Sequence, residues 1–412
     1  MHVVVISDND NRGGAAIAAA RLAEGLAEQN IRVTRIVAKL KRPTFTYPTI
    51  TAQRFRIGRI AYRLGLGGIW EPVQYRIAAG ALDGMLTQLR PDAISVHNLH
   101  SGIASGFSLG LLPVCTRHAP TVWTLHDMWS FTGRCAVSYA CRKYLIGCDA
   151  TCPTPREYPS LAPGRIAGAW ASRRQVLADE PDLVAVTPSQ WLAREARAGL
   201  WSSHQVEVIP NGLPLDVYRP GKESQVRATL GIKANGPVLL AVAENFTSRY
   251  RGSLLLVNAL RRLTRQSLTL LTLGQGDGGF SNIAEGVHVH ALGYVDDEAT
   301  KVLAYEAADI YVHPALADNL PNGVVEALAC GTPVVAFPVG GLPELVRPGQ
   351  TGWLADEVSP EALAATIQRA LQDLRSGIYL RDLCRSVAEA EYGVGLQASR
   401  YLELFRSLGR MN

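Results

Sequence analysis

Short apolar runs that alternate with helical stretches constrain this chain more than any other feature. "HVVVIS" at 2–7 is followed by "GGAAIAAARLAEGLAEQN", where Ile17, Leu22 and Leu26 share a helical face. "IRVTRIVA", "AISVHN", "APTVWTLHD" and "PDLVAVTPS" are further apolar runs of the same kind. A second block repeats the pattern in "GPVLLAVAE", "LTLLTLGQGD", "VHVHALGYV", "ADIYVHPA" and "TPVVAFPVGG". Such βαβ alternation predicts an α/β chain built on open, doubly wound parallel sheets.

A length of 412 residues exceeds one ordinary core. Between the two blocks, "VEVIPNGLPLDVYRP" at 206–220 is punctuated by Pro210, Asn211-Gly212, Pro214 and Pro220. We therefore expect a Rossmann-like domain over 1–208, with a cysteine-containing loop at 130–155. A second follows over 209–390, and a C-terminal segment, 391–412, completes the chain. The last helix, "QASRYLELFRSL", carries Tyr401, Leu402, Leu404, Phe405 and Leu408 on one side.

The net charge of +5 is mild and does not call for nucleic acid. No stretch approaches the roughly 20 apolar residues that span a bilayer. The start, "MHVVVISDND", lacks a basic leader and meets Asp8 and Asp10 early, so it reads as a first strand rather than a signal peptide. The expectation is a cytoplasmic protein with reduced thiols.

Ligands of open α/β sheets sit beyond the carboxyl ends of strands. With two such domains the expected site is the cleft between them. The strongest candidate is "HPALADNLPNGVVEALACGTPVVAF", 313–337. A strand ends at His313-Pro314, a polar loop follows, and a helix starts near Asn322. The amides of Gly323 and Val324 then stand at the positive end of the helix dipole, an anion site suited to a diphosphate. Asp318 and Glu326 flank this terminus, where they could accept hydrogen bonds from sugar hydroxyls. Asp318 or Asn319 as a plain helix cap is the alternative.

Asp318-x7-Glu326 with "ALACGTPVVAF" and "VGGLPELV" resembles the E-x7-E signature of family-4 retaining glycosyltransferases of the GT-B fold. "VIPNGLPLDVYRP", "LGQGD", "LGYVDDE", "RGGAAIAAARLAEGL" and "TLHD" resemble further segments of the same family. The resemblance covers nearly the whole chain and lies closest to the branch that assembles bacterial exopolysaccharides of the colanic-acid type. It implies two Rossmann-like domains, a nucleotide-sugar donor and a last helix that crosses back to the first domain.

It also implies residue roles. Glu326 would hold the ribose, and Asp318 the transferred sugar. Asn319, Leu320, Asn322, Gly323 and Val324 would line the donor, with the amides of 322–324 on the diphosphate. Gly13, Gly14 and Gly274 would let backbone approach the donor. Gly293, Tyr294 and Val295 would flank the base. His126 would touch sugar or acceptor, with His97, His100, Asp127 and Trp129 on the acceptor side. His118 and His313 read as structural.

The chain departs from the family pattern at Asp318, one methylene shorter than Glu, at Pro321, and at Asn245, where an Arg is usual. In "ENFTSRYRG" the phosphate-gripping cation falls to Arg251 or Arg249. The resemblance implies transfer with retention and without a protein nucleophile, the leaving phosphate oxygen taking the acceptor proton on the same face. The helix terminus and the arginines would supply positive potential at the diphosphate. No Asp-x-Asp metal motif stands out after a strand, so no catalytic divalent ion is expected. A phosphorylase would need a cofactor-binding lysine, and Lys222, Lys233 and Lys301 lie near turns or on helices. "SDNDNRGG" is no dinucleotide turn. A GT-B epimerase and a non-catalytic subunit stay open.

Cys135, Cys141, Cys148 and Cys152 are spaced C-x5-C-x6-C-x3-C. They read as a closed structural zinc site, two disulfides or packed thiols. From Gln29 to Trp70 there is no acid but Arg32, Arg35, Lys39, Lys41, Arg42, Arg54, Arg56, Arg59 and Arg63, interleaved with Phe55, Ile57 and Ile60. The stretch, 32–63, reads as a surface that docks on anionic lipid at the inner face of the membrane, where a polyprenyl-diphosphate-linked acceptor would lie.

Overall fold

The computed structural model describes residues 1–10, 13–40, 48–51, 67–100, 107–221, 223–233, 236–263, 267–283 and 286–410. They form two compact units: Met1–Gly212 with Val394–Asn412, and Leu213–Gly393.

The first unit is built on seven strands: β1 (His2–Asn9), β2 (Arg32–Lys39), β3 (Thr49–Thr51), β4 (Ala93–Val96), β5 (Thr121–Thr124), β6 (Val184–Thr187) and β7 (Val206–Val208). Their order is β3-β2-β1-β4-β5-β6-β7, with every pair parallel. The second unit is built on β8 (Val238–Asn245), β9 (Leu268–Gln275), β10 (Val287–Gly293), β11 (Ile310–His313), β12 (Val334–Ala336) and β13 (Gly352–Leu354). Their order is β10-β9-β8-β11-β12-β13, again all parallel. In each sheet the direction of winding reverses once, between β1 and β4 and between β8 and β11. Loops diverge there, and a crevice opens beyond the carboxyl ends of the strands.

The alternation in the sequence has its cause in burial on both faces. β4, β5, β6, β11 and β12 are buried along their whole length. The first helix, Gly14–Glu28, packs through Ala19, Leu22, Ala23 and Leu26. The last helix, Val394–Arg410, sets Ala398, Tyr401, Leu402, Phe405 and Leu408 into that same cluster. Tyr401 Oη also meets Thr124 Oγ1 at 2.8 Å. The close approach rests on Gly25, where an added Cβ would stand 2.9 Å from both Val394 Cγ2 and Val394 O.

The lipid-docking reading of 32–63 needs correction at Arg35. This arginine is 0% exposed. Its Nη2 donates to Ser7 Oγ at 3.2 Å and to the carbonyl of Asp10 at 2.7 Å, so it fastens the end of β1 rather than facing a membrane. Arg32 is exposed on β2. Lys41, Arg42, Arg54, Phe55, Arg56, Ile57, Arg59, Ile60 and Arg63 lie outside the described residues. No helix among the described residues is long and apolar enough to cross a membrane.

Candidate functional site

In the second unit the switch point gathers a histidine, a carboxylate and a guanidinium. His313 closes β11 and is 3% exposed, its Nδ1 2.8 Å from the Tyr311 hydroxyl. Its Nε2 lies 3.3 Å from Asp318 Oδ2. The same carboxylate oxygen accepts from Arg251 Nη1 at 3.4 Å, while Oδ1 accepts the Asn319 N–H at 2.9 Å. Burial pushes the Asp318 carboxyl up, but His313, Arg251 and the Asn319 amide outweigh it and hold it below its ordinary value. Burial pushes Arg251 down, and the carboxylate of Asp318 more than restores it. The two groups thus stay charged together.

Two glycines make the approach possible. Gly252 has φ +70°, and a Cβ there would lie 1.8 Å from the Pro314 carbonyl. Gly340, at φ +59°, would put a Cβ 1.8 Å from the carbonyl of Asp318. His313 reads as structural from the sequence, yet it stands in this cluster; its nearest signal is the strand-ending "HP" before the polar loop. Asn245, at the usual arginine position, accepts from Thr247 N at 2.9 Å and Thr247 Oγ1 at 2.7 Å, and so builds the turn. Arg251 also stacks 4.6 Å over the Tyr250 ring, while Arg249 is exposed.

The helix Asn322–Ala329 starts where the sequence placed it. Its terminus differs from the expectation in two ways. The Val324 N–H donates to the Pro321 carbonyl at 3.0 Å and its side chain is 0% exposed, so Val324 offers a ligand nothing. Leu320 is a core side chain. Asn322 and Gly323 remain at the opening, with Gly323 seated against the Tyr305 and Tyr311 hydroxyls. Glu326, one turn inside, is nearly buried and accepts from Tyr305 Oη at 3.1 Å. Gly274 lies against the Ala243 carbonyl. Gly293 ends β10, with Tyr294 exposed beyond it and Val295 packed partly on the core.

In the first unit the ends of β4 and β5 carry a polar and aromatic pocket that includes His97, His100, His126, Asp127 and Trp129. His126 Nε2 sits 2.9 Å from His97 Nδ1, the rings stacked 5.2 Å apart. His97 Nε2 in turn meets Ser95 Oγ at 3.2 Å. Burial, reinforced by His100 and only partly offset by Asp127, lowers His126 to about 4. Burial and then the His126 and Arg35 charges take His97 well below its ordinary value. Asp127 caps a short helical turn by accepting the Trp129 N–H at 2.8 Å, and pairs with His100 Nε2 at 3.0 Å. Burial raises its carboxyl, and His100 with the Trp129 amide lowers it further than that. Gly13 (φ +86°) and Gly14 are exposed where the chain enters the first helix. Against the expectation of no Asp-x-Asp after a strand, Asp8 and Asp10 make one, buried at the end of β1; Asp8 accepts from Asn98 Nδ2 at 3.2 Å. His118 pairs with Asp83 at 2.9 Å.

The cysteine loop is fastened by two arginines. Cys135, Cys141, Cys148 and Cys152 stand as free thiols, and Cys135 lies within electrostatic range of the other three. Among the described residues no group of side chains is arranged as a metal-ligand set. Buried Arg134 staples the loop by donating to the carbonyls of Glu157 (2.5 Å) and Pro159 (3.0 Å) and to Thr154 Oγ1 (2.9 Å). Buried Arg173 donates to the Gly133 carbonyl at 3.1 Å and lies 4.0 Å over the Trp129 ring.

Comparison with known proteins agrees with this architecture. Residues 12–217 match the model of "Glycosyltransferase Family 4", half of the chain, and residues 236–373 match that of "Glycosyl transferases group 1". The chain is 27% identical over 330 residues to a D-inositol 3-phosphate glycosyltransferase of Segniliparus rotundus, covering 73% of this chain and 69% of that protein. It is 28% identical over 301 residues to the putative colanic acid biosynthesis glycosyl transferase WcaC of Escherichia coli, covering 70% and 68%. Sucrose-phosphate synthase from Thermosynechococcus elongatus superposes with a TM-score of 0.72 at 21% identity, over 100% of both chains. Anabaena HepE in complex with UDP-glucose does so at 0.68 and 16%, over 99% of this chain and 100% of that one. Two parallel, singly switched sheets of matching order and a family model spanning half the sequence lead to one conclusion: the chain belongs to glycosyltransferase family 4 and has the GT-B fold.

Proposed function

We propose that this glycosyltransferase moves a sugar, with retention, from a nucleotide-sugar donor to a saccharide or polyprenyl-diphosphate-linked saccharide in cell-surface polysaccharide synthesis. It does so at the inner face of the membrane and without a catalytic metal. The observation that carries the reading is the gathering of Arg251, Asp318 and Glu326 beside the Asn322–Ala329 helix terminus at the β8/β11 switch point. The names of two similar proteins support it: colanic acid biosynthesis for one, a complex with UDP-glucose for the other.

Glycosidic cleavage leaves growing negative charge on a diphosphate, and preorganised positive potential there lowers the barrier. Arg251, with Arg249 nearby in the same turn, and the amides of Asn322 and Gly323 supply it. Asp318 and Asn319 orient the transferred sugar, and Glu326 takes the ribose hydroxyls. Gly13, Gly14 and Gly274 admit the donor closely, and Gly293, Tyr294 and Val295 border the base. His126 contacts sugar, with His100, Asp127 and Trp129 on the acceptor side. The departing phosphate oxygen takes the proton of the attacking hydroxyl on the same face.

The test is to offer the full chain a panel of nucleotide sugars with a membrane extract and follow release of free nucleoside diphosphate. Release that persists in excess chelator and disappears in Glu326→Ala is expected, with the product keeping the donor's anomeric configuration. Nucleotide binding with no turnover on any acceptor would overturn the reading in favour of a non-catalytic subunit.

A further inference from the structure

Ser95, His97 and His126 form one hydrogen-bond chain, and its direction decides what His126 can do. Ser95 Oγ is 3.2 Å from His97 Nε2, and His97 Nδ1 is 2.9 Å from His126 Nε2. Ser95 is 0% and His97 1% exposed. Each imidazole, when neutral, carries one N–H and one bare nitrogen. The two links therefore cannot be set independently. Either every proton points from Ser95 toward His126, with both rings protonated at Nδ1, or every proton points back, with both protonated at Nε2.

The serine chooses between them. Among the described residues its hydroxyl meets one hydrogen-bond partner, His97 Nε2. Were that nitrogen protonated, the Ser95 O–H would be buried with no acceptor. A buried donor without a partner is costlier and rarer than an oxygen with a spare lone pair. Ser95 therefore donates to His97 Nε2, His97 donates through Nδ1 to His126 Nε2, and His126 holds its own proton on Nδ1.

We propose that His97 is a positioning residue that relays the Ser95 hydroxyl to His126, fixing it as a neutral ring with its proton on Nδ1. The ring stack at 5.2 Å and 24° fixes its orientation as well. Among the described residues, Asp127 and His100 act on the charge of His126, and His126 and Arg35 on that of His97. Asp127 is already engaged by His100 at 3.0 Å and by the Trp129 amide. The neutral state follows from burial of both rings, which keeps His126 near 4.

The proposal rests on the glycosyl-transfer reading for its consequence but not for its test. Long-range ¹⁵N–¹H spectra of the ¹⁵N-histidine-labelled full chain report each ring's tautomer without substrate. Nine histidines keep the spectrum assignable through His97→Gln and His126→Gln. At pH 7 both rings should be protonated at Nδ1. Ser95→Ala should leave His126 a mixture of tautomers, and Ser95→Thr should restore Nδ1–H. If either ring is protonated at Nε2 in the unmodified chain, the relay runs the other way and the proposal fails. If His126 keeps its tautomer in both Ser95→Ala and His97→Gln, His97 positions nothing. In turnover, Ser95→Ala should lower kcat at least tenfold with donor KM within twofold, and Ser95→Thr should recover it. Nδ1-protonated rings in a chain that never turns over would sink the enzymatic reading and leave the relay standing.

Discussion

Asp318→Asn separates the two roles assigned to the Arg251–Asp318 pair. Asparagine keeps the side-chain shape and can still accept the Asn319 N–H, now made at 2.9 Å. It removes the charge that faces Arg251 at 3.4 Å. At that distance and an effective dielectric constant of about 20, the gross attraction is about 5 kcal/mol. Both side chains are partly solvated, at 25% and 22% exposure, so water returns most of that when the pair opens. A net of about 1 kcal/mol remains, near the top of the range for solvated pairs. A diphosphate that recruits Arg251 must overcome this in the wild-type chain and not in the variant. The expected result is a Kd for a free nucleoside diphosphate about fivefold lower in Asp318→Asn. The gain should shrink in 1 M salt, where screening acts over about 3 Å. Sugar transfer should fall at the same time, because the transferred sugar has lost its acceptor. Isothermal titration in low and high salt, beside a turnover assay, reads both. An unchanged or raised Kd in the variant would show that Arg251 does not leave Asp318 for the phosphate, and the assignment of the diphosphate to Arg251 would fall.

Four further outcomes are expected. Gly25→Ala would favour the helix by about 0.5–1 kcal/mol on propensity alone, yet its Cβ meets Val394 at 2.9 Å. Overpacking of that kind costs about 1–3 kcal/mol, so a denaturant melt should show net destabilisation of the first unit. Gly252→Ala combines φ +70° with a 1.8 Å collision at Pro314. It should cost at least 2 kcal/mol or so and weaken nucleotide binding because Arg251 is displaced. Asp318 has a depressed folded-state value. Its stabilising contribution should hold above the unfolded value of about 3.9 and disappear as pH falls through the lower folded value. Acid titration of Asp318→Asn should therefore show a shallower loss of stability below about pH 4. Arg134→Met removes the guanidinium that donates to the carbonyls of Glu157 and Pro159. Cys148 and Cys152 should then react faster with a disulfide reagent than in the unmodified chain, and an unchanged rate would deny Arg134 its stapling role.

The parallel sheets were legible because a strand covered on both faces must be apolar along its length. Val3, Val4, Val5 and Ile6 are all 0% exposed, and no antiparallel strand with a solvated face reads that way. The Asn322 helix was legible because Pro321 breaks the chain and an apolar, proline-free run follows. Its availability to a ligand was not. Whether the Val324 N–H is open depends on one turn closing onto the Pro321 carbonyl, a matter of backbone angles rather than residue type. The loop at 135–152 shows the same limit. Its four thiols were legible as a cluster, but the pinning of its backbone by Arg134 and Arg173 was not, because the carbonyls they reach are set by chain path rather than residue type.

What spacing cannot carry is convergence across a sheet. Arg251 and Asp318 are 67 residues apart and His97 and His126 are 29 apart, yet each pair touches. In both cases the members leave the carboxyl ends of strands that pair in the sheet, β8 with β11 and β4 with β5. The strand order that creates those adjacencies follows from how the crossovers wind, which no local pattern records. Once the order is known, the neighbours of every strand-end residue follow at once. His313 then becomes a member of the Asp318 cluster without any motif of its own, because β11 ends where the β8 loop arrives. Residue types thus pointed to the chemistry, and topology decided which of them meet: Asn245, matched by motif position, is drawn into its own turn, while His313, matched by none, stands 3.3 Å from the carboxylate.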